Sequence, residues 1–193
     1  MRVALVDIDG TIVNTCGALK TYLAQFGKNF KPENVITYNF DGDIGVSKSD
    51  IFSAFKEPDL YKYLTLYDGV VSSLDELKKY CRVIAYTSMP DINNLQHKRK
   101  ELCEWLGFDS VLIYDNNKPV LSGINVLFDD CLDVHDSWAS CSNTRQYLIN
   151  QTYNQKINNV YRSSLWEKVI RVENFSDAVT DYINYIKVTD KNK

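Results

Sequence analysis

The chain is poor in the residues that build zinc sites and disulfide frameworks. Its 193 residues include only two histidines, His97 and His135, and neither lies at the spacing of a metal-ligand motif. Zinc chemistry is therefore not expected. The five cysteines are odd in number and form no C-x-x-C pair. We expect reduced thiols and a cytoplasmic location.

Long hydrophobic runs and an excess of basic charge are also missing. No apolar stretch approaches the length that crosses a bilayer, and no basic segment followed by an apolar run begins the chain, so neither a membrane span nor a signal peptide is expected. The formal net charge of -3 disfavours a nucleic-acid polymer as partner. The short basic run 97–100 is interpreted as a solvated helix face. A small anionic substrate, held by a local cation, fits this charge.

An acidic motif directly follows the first apolar segment. Residues Val3 to Val6 predict a buried parallel strand, and Asp7-Ile8-Asp9-Gly10-Thr11 comes next. Ligands bind beyond the carboxyl ends of the strands in open parallel sheets. We therefore expect Asp7 and Asp9 in an active site, with an ordinary acidic turn as the alternative.

Two further predicted strands end in polar residues, and a lysine lies in the loop before the second of them. These residues are Thr87 and Ser88 after strand 82–86, Asp129 and Asp130 after strand 126–128, and Lys118. Strands alternate with helical segments along the chain, which predicts an α/β fold with a doubly wound parallel sheet. Such a sheet gathers the ends of its strands at one edge.

The chemistry of a phosphate monoester explains why these residue types occur together. The monoester is a dianion, so a carboxylate that attacks its phosphorus needs cations beside it. Magnesium prefers oxygen ligands and usually takes one or two protein carboxylates, which Asp7 and Asp129 can provide. Lys118 adds a second positive charge. Asp7 is therefore the candidate nucleophile of a Mg2+-dependent phosphohydrolase.

The remaining motif residues have roles in the same reaction. Asp9 is the candidate that protonates the leaving alkoxide and then activates the water that hydrolyses an aspartyl-phosphate. Thr87, Ser88 and the N–H groups beyond each strand offer donors to the phosphate oxygens. Gly10 lets the backbone approach the substrate closely. For Thr87 and Ser88, a simple strand end is the alternative interpretation.

This set of motifs resembles the haloacid dehalogenase (HAD) phosphohydrolase superfamily. The four matching motifs, in the family's order, are residues 7–11, Thr87, Lys118 and 129–130. The resemblance implies a HAD-like Rossmannoid core, Mg2+ as cofactor, and Asp7 as nucleophile and metal ligand. It implies that Asp9 is the acid and base and binds the metal through its backbone carbonyl. Asp129 is then a direct metal ligand and Asp130 an outer-shell one. Dehalogenase members lack the second aspartate, so Asp9 indicates phosphate.

A narrower resemblance, to the 5'(3')-deoxyribonucleotidase branch of that superfamily, extends over most of the chain. The segments that carry it are 83–90, 98–108, 118–120, 151–154, Arg162 and 166–169. The resemblance implies that deoxyribonucleoside monophosphates are the substrates.

The segment between the first two motifs is expected to form a small inserted helical cap. This expectation assigns 14–74 to the cap, 1–13 and 75–188 to the core, and 189–193 to a polar, disordered tail. The cap holds several aromatic residues, namely Tyr38, Phe40, Phe52, Phe55, Tyr61, Tyr63 and Tyr67. Stacking tolerates any base, and Phe40, beside the turn at 41–43, is the candidate that contacts a nucleobase. Most of the others are assigned to the cap core.

These features together predict a Mg2+-dependent phosphomonoester hydrolase, most specifically a 5'(3')-deoxyribonucleotidase that forms an aspartyl-phosphate. One alternative is a HAD phosphatase for another small phosphoester or for a polynucleotide 3'-phosphate. A second alternative, from another class, is a non-catalytic nucleotide-binding module. The sequence does not decide whether the chain forms a homodimer.

Overall fold

The computed structural model describes residues 1–37, 39–90, 92–115, 117–139, 143–155 and 169–191. Six strands of this part of the chain form one sheet. They are β1 (Arg2–Val6), β2 (Cys81–Ser88), β3 (Ser110–Tyr114), β4 (Val126–Asp129), β5 (Arg145–Ile149) and β6 (Val169–Val172). Their order is β3-β2-β1-β4-β5-β6, and every neighbouring pair is parallel. The predicted doubly wound parallel α/β fold is confirmed.

Six α-helices of the described part of the chain connect or flank these strands. They are α1 (Thr15–Ala24), α2 (Lys48–Phe55), α3 (Val70–Lys78), α4 (Leu95–Trp105), α5 (Leu132–Trp138) and α6 (Phe175–Lys191). Local sequence sets two of the helix starts. The Asn14 side chain accepts from the Gly17 N–H to cap α1, and Ser47 and Asp50 form a reciprocal capping box at α2.

The sheet is buried on both faces. Ala4 and Val6 of β1 pack in a cluster that also includes residues of α3 and α6, whereas Leu5 packs with Trp138 of α5 in a second cluster. Successive side chains of a strand point to opposite faces, so both faces of β1 need apolar residues. This double burial explains the continuous apolar run in the sequence.

A third cluster of buried hydrophobic residues lies within the segment expected to form the cap. Its members include Leu19 of α1 and Ile51 of α2. The expected boundary after residue 74 falls inside α3, whose buried Val70, Leu74 and Leu77 belong to the cluster beside the sheet. The extent of the cap stays a prediction.

The expectation of a disordered tail from residue 189 is wrong for residues 189–191. Helix α6 continues to Lys191, and Asp190 in its last turn pairs with Arg2 at the start of β1. The helix buries Ile186 against the core. Because helix formation is cooperative, the polar last turn remains helical as well. Across the described ranges, no helix is long and apolar enough to cross a membrane. Several residues of the sequence-based predictions lie outside those ranges, namely Tyr38, Arg162 and 166–168.

Candidate active site

Neighbouring strands of the sheet deliver charged side chains to one edge. β1 lies between β2 and β4 and is parallel to both, Asp7 follows β1, and Asp129 ends β4. Lys118, from the loop before β4, places its Nζ 2.7 Å from Asp7 Oδ1 and 2.6 Å from Asp129 Oδ2. The structure thus brings together three residues that the sequence singles out, although Asp7 is more than a hundred positions from the other two.

The donor set at this edge fits a divalent cation. Carboxylate oxygens of Asp7, Asp129 and Asp130 all lie within 4.8 Å of one another, and the three residues are buried. Two of these carboxylates, those of Asp7 and Asp129, pair with the Lys118 ammonium group. Oxygen ligands in excess of the local positive charge are the donors that Mg2+ prefers.

The electrostatics of the metal-free cluster reflect this excess of negative charge. Burial, together with the charge of Asp129, raises the pKa of Asp7 to about 7 against the opposing effect of Lys118. Burial, together with the charges of Asp7 and Asp129, raises the pKa of Asp130 well above its usual value. Burial lowers the pKa of Lys118, but Asp129 and Asp7 outweigh that effect and hold it well above its ordinary value. The cluster is therefore short of positive charge.

Asp130 is held by protein groups on every side. Its Oδ1 accepts from the Thr11 hydroxyl at 3.2 Å, and its Oδ2 accepts from the Tyr153 hydroxyl. The Asn154 side-chain amide donates to its backbone carbonyl at 2.9 Å. Because both carboxylate oxygens already have hydroxyl partners, this side chain suits an outer-shell position more than a direct one.

His135 and Cys131 both contact the end of β4. His135 is buried beneath the site, with Nε2 3.1 Å from the Asp129 carbonyl and Nδ1 3.0 Å from Gln146 Oε1. The Cys131 N–H donates to Asp129 Oδ1 at 2.9 Å. Both residues hold the end of β4 in place.

The Asp9 carboxylate is bound by two side chains from outside the carboxylate cluster. Its Oδ1 accepts from the Thr15 hydroxyl at 2.8 Å, and its Oδ2 accepts from Arg99 NH2 at 2.7 Å. The interpretation of 97–100 as a solvated helix face is therefore wrong for Arg99, which is only 1% exposed, although His97 and Lys100 are exposed. Arg99 lies on the side of α4 that packs against the protein, together with Leu95.

Gly10 occupies a position that only glycine fits. Its φ is +75, and a Cβ there would collide with the Tyr153 hydroxyl and the Asp130 carboxylate. The Gln151 side-chain amide donates to the Gly10 carbonyl at 2.6 Å, and the Tyr67 hydroxyl donates to Gln151 Oε1 at 3.3 Å. The loop after β5 therefore clamps the loop after β1, a long-range contact that the sequence analysis missed.

Thr87 and Ser88 end β2 beside this edge. The Thr87 hydroxyl is buried and has no hydrogen-bond partner within the described residues. A buried hydroxyl without a partner is costly, and a ligand oxygen would relieve that cost. The Ser88 hydroxyl donates to the Tyr114 carbonyl at 3.2 Å.

A cavity of about 280 Å3 opens next to Asp9 and Gly10. Its walls come from α1, from the segment expected to form the cap, from the end of β2 and from the loop after β5. The aromatic residues in these walls are Phe40, Phe52, Phe55, Tyr67 and Tyr153. Of the candidate aromatics within the described ranges, Tyr61 and Tyr63 are not in the cavity wall.

Phe40 combines a cavity position with a strained backbone. Its φ is 56, a left-handed conformation that bulky residues rarely adopt. Its ring packs against those of Phe30, Phe52 and Phe55, with centroids 6.2, 6.4 and 5.7 Å away. The aromatic cluster therefore holds Phe40 in an orientation that leaves it at the cavity wall.

The fold and this site define a phosphohydrolase of the HAD superfamily. The family model described as "5' nucleotidase, deoxy (Pyrimidine), cytosolic type C protein" matches residues 1–175. The chain belongs to this family and is a phosphatase of the 5'-nucleotidase type. The predicted resemblance to the HAD superfamily and its deoxyribonucleotidase branch is confirmed. No curated protein sequence matches the chain.

Solved structures share the fold at low sequence identity. Protein tyrosine kinase A from Mycobacterium tuberculosis has a TM-score of 0.61 at 12% identity, covering 92% of this chain and 97% of that one. A haloacid dehalogenase-like hydrolase from Burkholderia xenovorans has a TM-score of 0.58 at 14% identity, covering 95% of this chain and 97% of that one. The HAD-hydrolase YfnB from Bacillus subtilis, solved with magnesium, has a TM-score of 0.57 at 13% identity, covering 92% of this chain and 96% of that one. At such identities the likeness establishes the fold alone.

Proposed function

We propose that this phosphatase is a Mg2+-dependent 5'(3')-deoxyribonucleotidase that works through an aspartyl-phosphate on Asp7. The observation that carries the proposal is the buried cluster in which Lys118 pairs with both Asp7 and Asp129. A carboxylate nucleophile can approach a dianionic monoester only where positive charge has been assembled beforehand.

Asp7 and Lys118 account for the attack. The Lys118 ammonium group, 2.7 Å from Asp7 Oδ1, fixes the nucleophile and neutralises part of the negative charge that meets at phosphorus. The side chains of Asp7 and Asp129 and the backbone carbonyl of Asp9 would hold Mg2+, with Asp130 as an outer-shell partner, and the ion would supply the remaining positive charge. The unpartnered Thr87 hydroxyl, with Ser88 and Gly10 beside it, suits the phosphate oxygens.

Asp9 serves both halves of the reaction. As the phosphorus–oxygen bond of the ester breaks, Asp9 gives its proton to the leaving alkoxide. The resulting carboxylate then takes a proton from the water that attacks phospho-Asp7. Asp9 also borders the cavity next to the carboxylate cluster, where a leaving nucleoside has room.

The walls of the cavity favour a nucleoside over a sugar or an extended polymer. Its exposed lining is mostly apolar, with Phe40, Phe52 and Phe55 on the side of the expected cap. Base-on-aromatic stacking suits such a wall and is tolerant of base identity. The description of the matched family, which names deoxy and pyrimidine nucleotides and the cytosol, supports deoxyribonucleoside monophosphates as substrates and a cytoplasmic location.

The experiment that tests this proposal is phosphate release from a panel of substrates, with Mg2+ and with EDTA. The panel holds ribo- and deoxyribonucleoside 5'- and 3'-monophosphates, sugar phosphates and a 3'-phosphorylated oligonucleotide. Preference for deoxyribonucleotides, loss of activity in EDTA and loss in the Asp7→Asn variant are the expected results. Activity mainly on the sugar phosphates or on the oligonucleotide would contradict the proposed substrate class. An active Asp7→Asn variant would contradict the proposed role of Asp7 as nucleophile.

A further inference from the structure

Arg99 is a fully buried arginine whose hydrogen-bonded partner among the described residues is Asp9. Its NH2 group donates to Asp9 Oδ2 at 2.7 Å. Its Nε and NH1 groups are buried, and neither has a hydrogen-bond partner within the ranges that the structure describes. The guanidinium carbon lies 5.6 Å from the centre of the Tyr61 ring. Burial of this cation is thus compensated by one carboxylate and one aromatic face.

This environment is poor for an arginine that only stabilises the fold. A buried guanidinium normally has several of its five donors engaged, because unpaired buried donors and charges are costly. Here α4 places the charge against a residue of the active site instead. Asp9 is the only carboxylate paired with Arg99 among the described residues. The free-energy cost of burying the Arg99 charge is therefore offset mainly by its ion pair with Asp9.

The contacts of Asp9 fix the orientation of its carboxylate. Thr15 of α1 donates to Oδ1 at 2.8 Å, while Arg99 of α4 donates to Oδ2. Two donors from two different helices hold the plane of one carboxylate.

We propose that Arg99 is a positioning residue that orients the Asp9 carboxylate while the leaving group departs. This inference rests on the proposed function. In the first step a bond forms between Asp7 and phosphorus, the bond to the ester oxygen breaks, and the Asp9 proton moves to that oxygen. In the second step water bonds to phosphorus, its proton moves to Asp9, and the bond between Asp7 and phosphorus breaks. Arg99 acts on the first step, because the carboxylate that it orients delivers the proton to the leaving oxygen.

The leaving group provides a test that a purely structural role does not pass. A nucleoside alkoxide needs a proton to depart, whereas p-nitrophenolate departs without one. We expect Arg99→Met to lower kcat/KM for the best deoxyribonucleotide by about tenfold or more and to change kcat/KM for p-nitrophenyl phosphate by less than about twofold. Arg99→Lys keeps the charge and should restore part of the nucleotide activity. Lys100→Met, at the exposed neighbouring position, is the matched control and should leave the ratio unchanged.

An equal loss on both substrates, in a variant that melts as a folded protein, would overturn the inference. If Arg99→Met does not fold, Arg99→Gln replaces it, and a ratio within about twofold of wild type would again contradict the assignment. Failure of the wild-type enzyme to hydrolyse either substrate would instead overturn the proposed function on which the inference rests. The two failures are thereby distinguishable.

Discussion

The Lys118 ammonium group lies 2.7 Å from Asp7 Oδ1, and the two side chains are only 7% and 6% exposed. The loop before β4 and the end of β1 meet at this contact, at the edge of the sheet where the strands end. A buried lysine beside the nucleophile supplies positive charge that water cannot screen. The contact therefore belongs to the chemistry as well as to the fold.

Replacement of this lysine should affect both activity and stability. Lys118→Met removes the cation between Asp7 and Asp129, so we expect kcat to fall by about 10²-fold or more. Leaving buried carboxylates unpaired should lower the free energy of unfolding by about 3 kcal/mol in the absence of metal. Denaturant titration and steady-state kinetics measure the two effects. Lys79→Met, which removes an exposed lysine, is the control and should change neither.

A comparison of alanine substitutions at Gly10 and Gly27 distinguishes the effect of backbone strain from that of a side-chain collision. Gly10→Ala should destabilise the protein and abolish most of the activity, because the new Cβ meets Asp130 and Tyr153. Gly27 has a similar φ of +69 and nothing within 4 Å of its Cβ position. Gly27→Ala should therefore cost only about 1 kcal/mol and keep full activity. Similar activity in the two variants would show that the loops around Gly10 adjust to the added methyl group.

The Tyr153 hydroxyl should matter for metal binding. Tyr153→Phe removes the donor to Asp130 Oδ2, and loss of an outer-shell partner typically weakens metal affinity by about 10- to 100-fold. We expect the Mg2+ concentration needed for half-maximal activity to rise accordingly, with kcat at saturating Mg2+ changed less. Tyr185→Phe, at an exposed position, is the control. An unchanged Mg2+ dependence would remove Tyr153 from the metal site.

Phe40 should affect nucleotides more than a generic aryl phosphate. Phe40→Ala removes a ring from the cavity wall, so KM for deoxyribonucleotides is expected to rise by about tenfold, the value of one base-on-ring stack. KM for p-nitrophenyl phosphate should rise less. Phe26→Ala, which removes an exposed ring, serves as the control. Equal increases for both substrates would contradict the stacking role.

Local sequence patterns were sufficient to predict strands β1, β2 and β4 and the residues at their ends. Apolar runs that stop at Asp7, Thr87 and Asp129 carry both signals at once, because a buried parallel strand has a continuous pattern and its carboxyl end borders the site. Helix α6 is missing from the sequence-based prediction, although Phe175, Val179 and other buried residues at helical spacing mark it.

The parts of the site that escaped prediction depend on contacts between distant residues. Arg99 lies in a basic run that resembles a solvated surface, and its burial depends on Asp9, 90 positions away. The spacing of Leu95, Arg99 and Cys103, one helical turn apart each time, was the available signal, because it places all three on the buried face of α4. The clamp of Gln151 on Gly10 has no local signal, since it joins two loops 141 positions apart.

The central claim is that Asp7 carries the phosphoryl group during turnover. Its most direct test is acid quenching of the enzyme during turnover of a deoxyribonucleotide with Mg2+, followed by peptide mass spectrometry. We predict a phosphoryl group on the peptide that contains Asp7, formed within the first turnover and absent from Asp7→Asn. Rapid phosphate release without any phosphorylated peptide, or a phosphoryl group on another residue, would contradict the role of Asp7 as nucleophile.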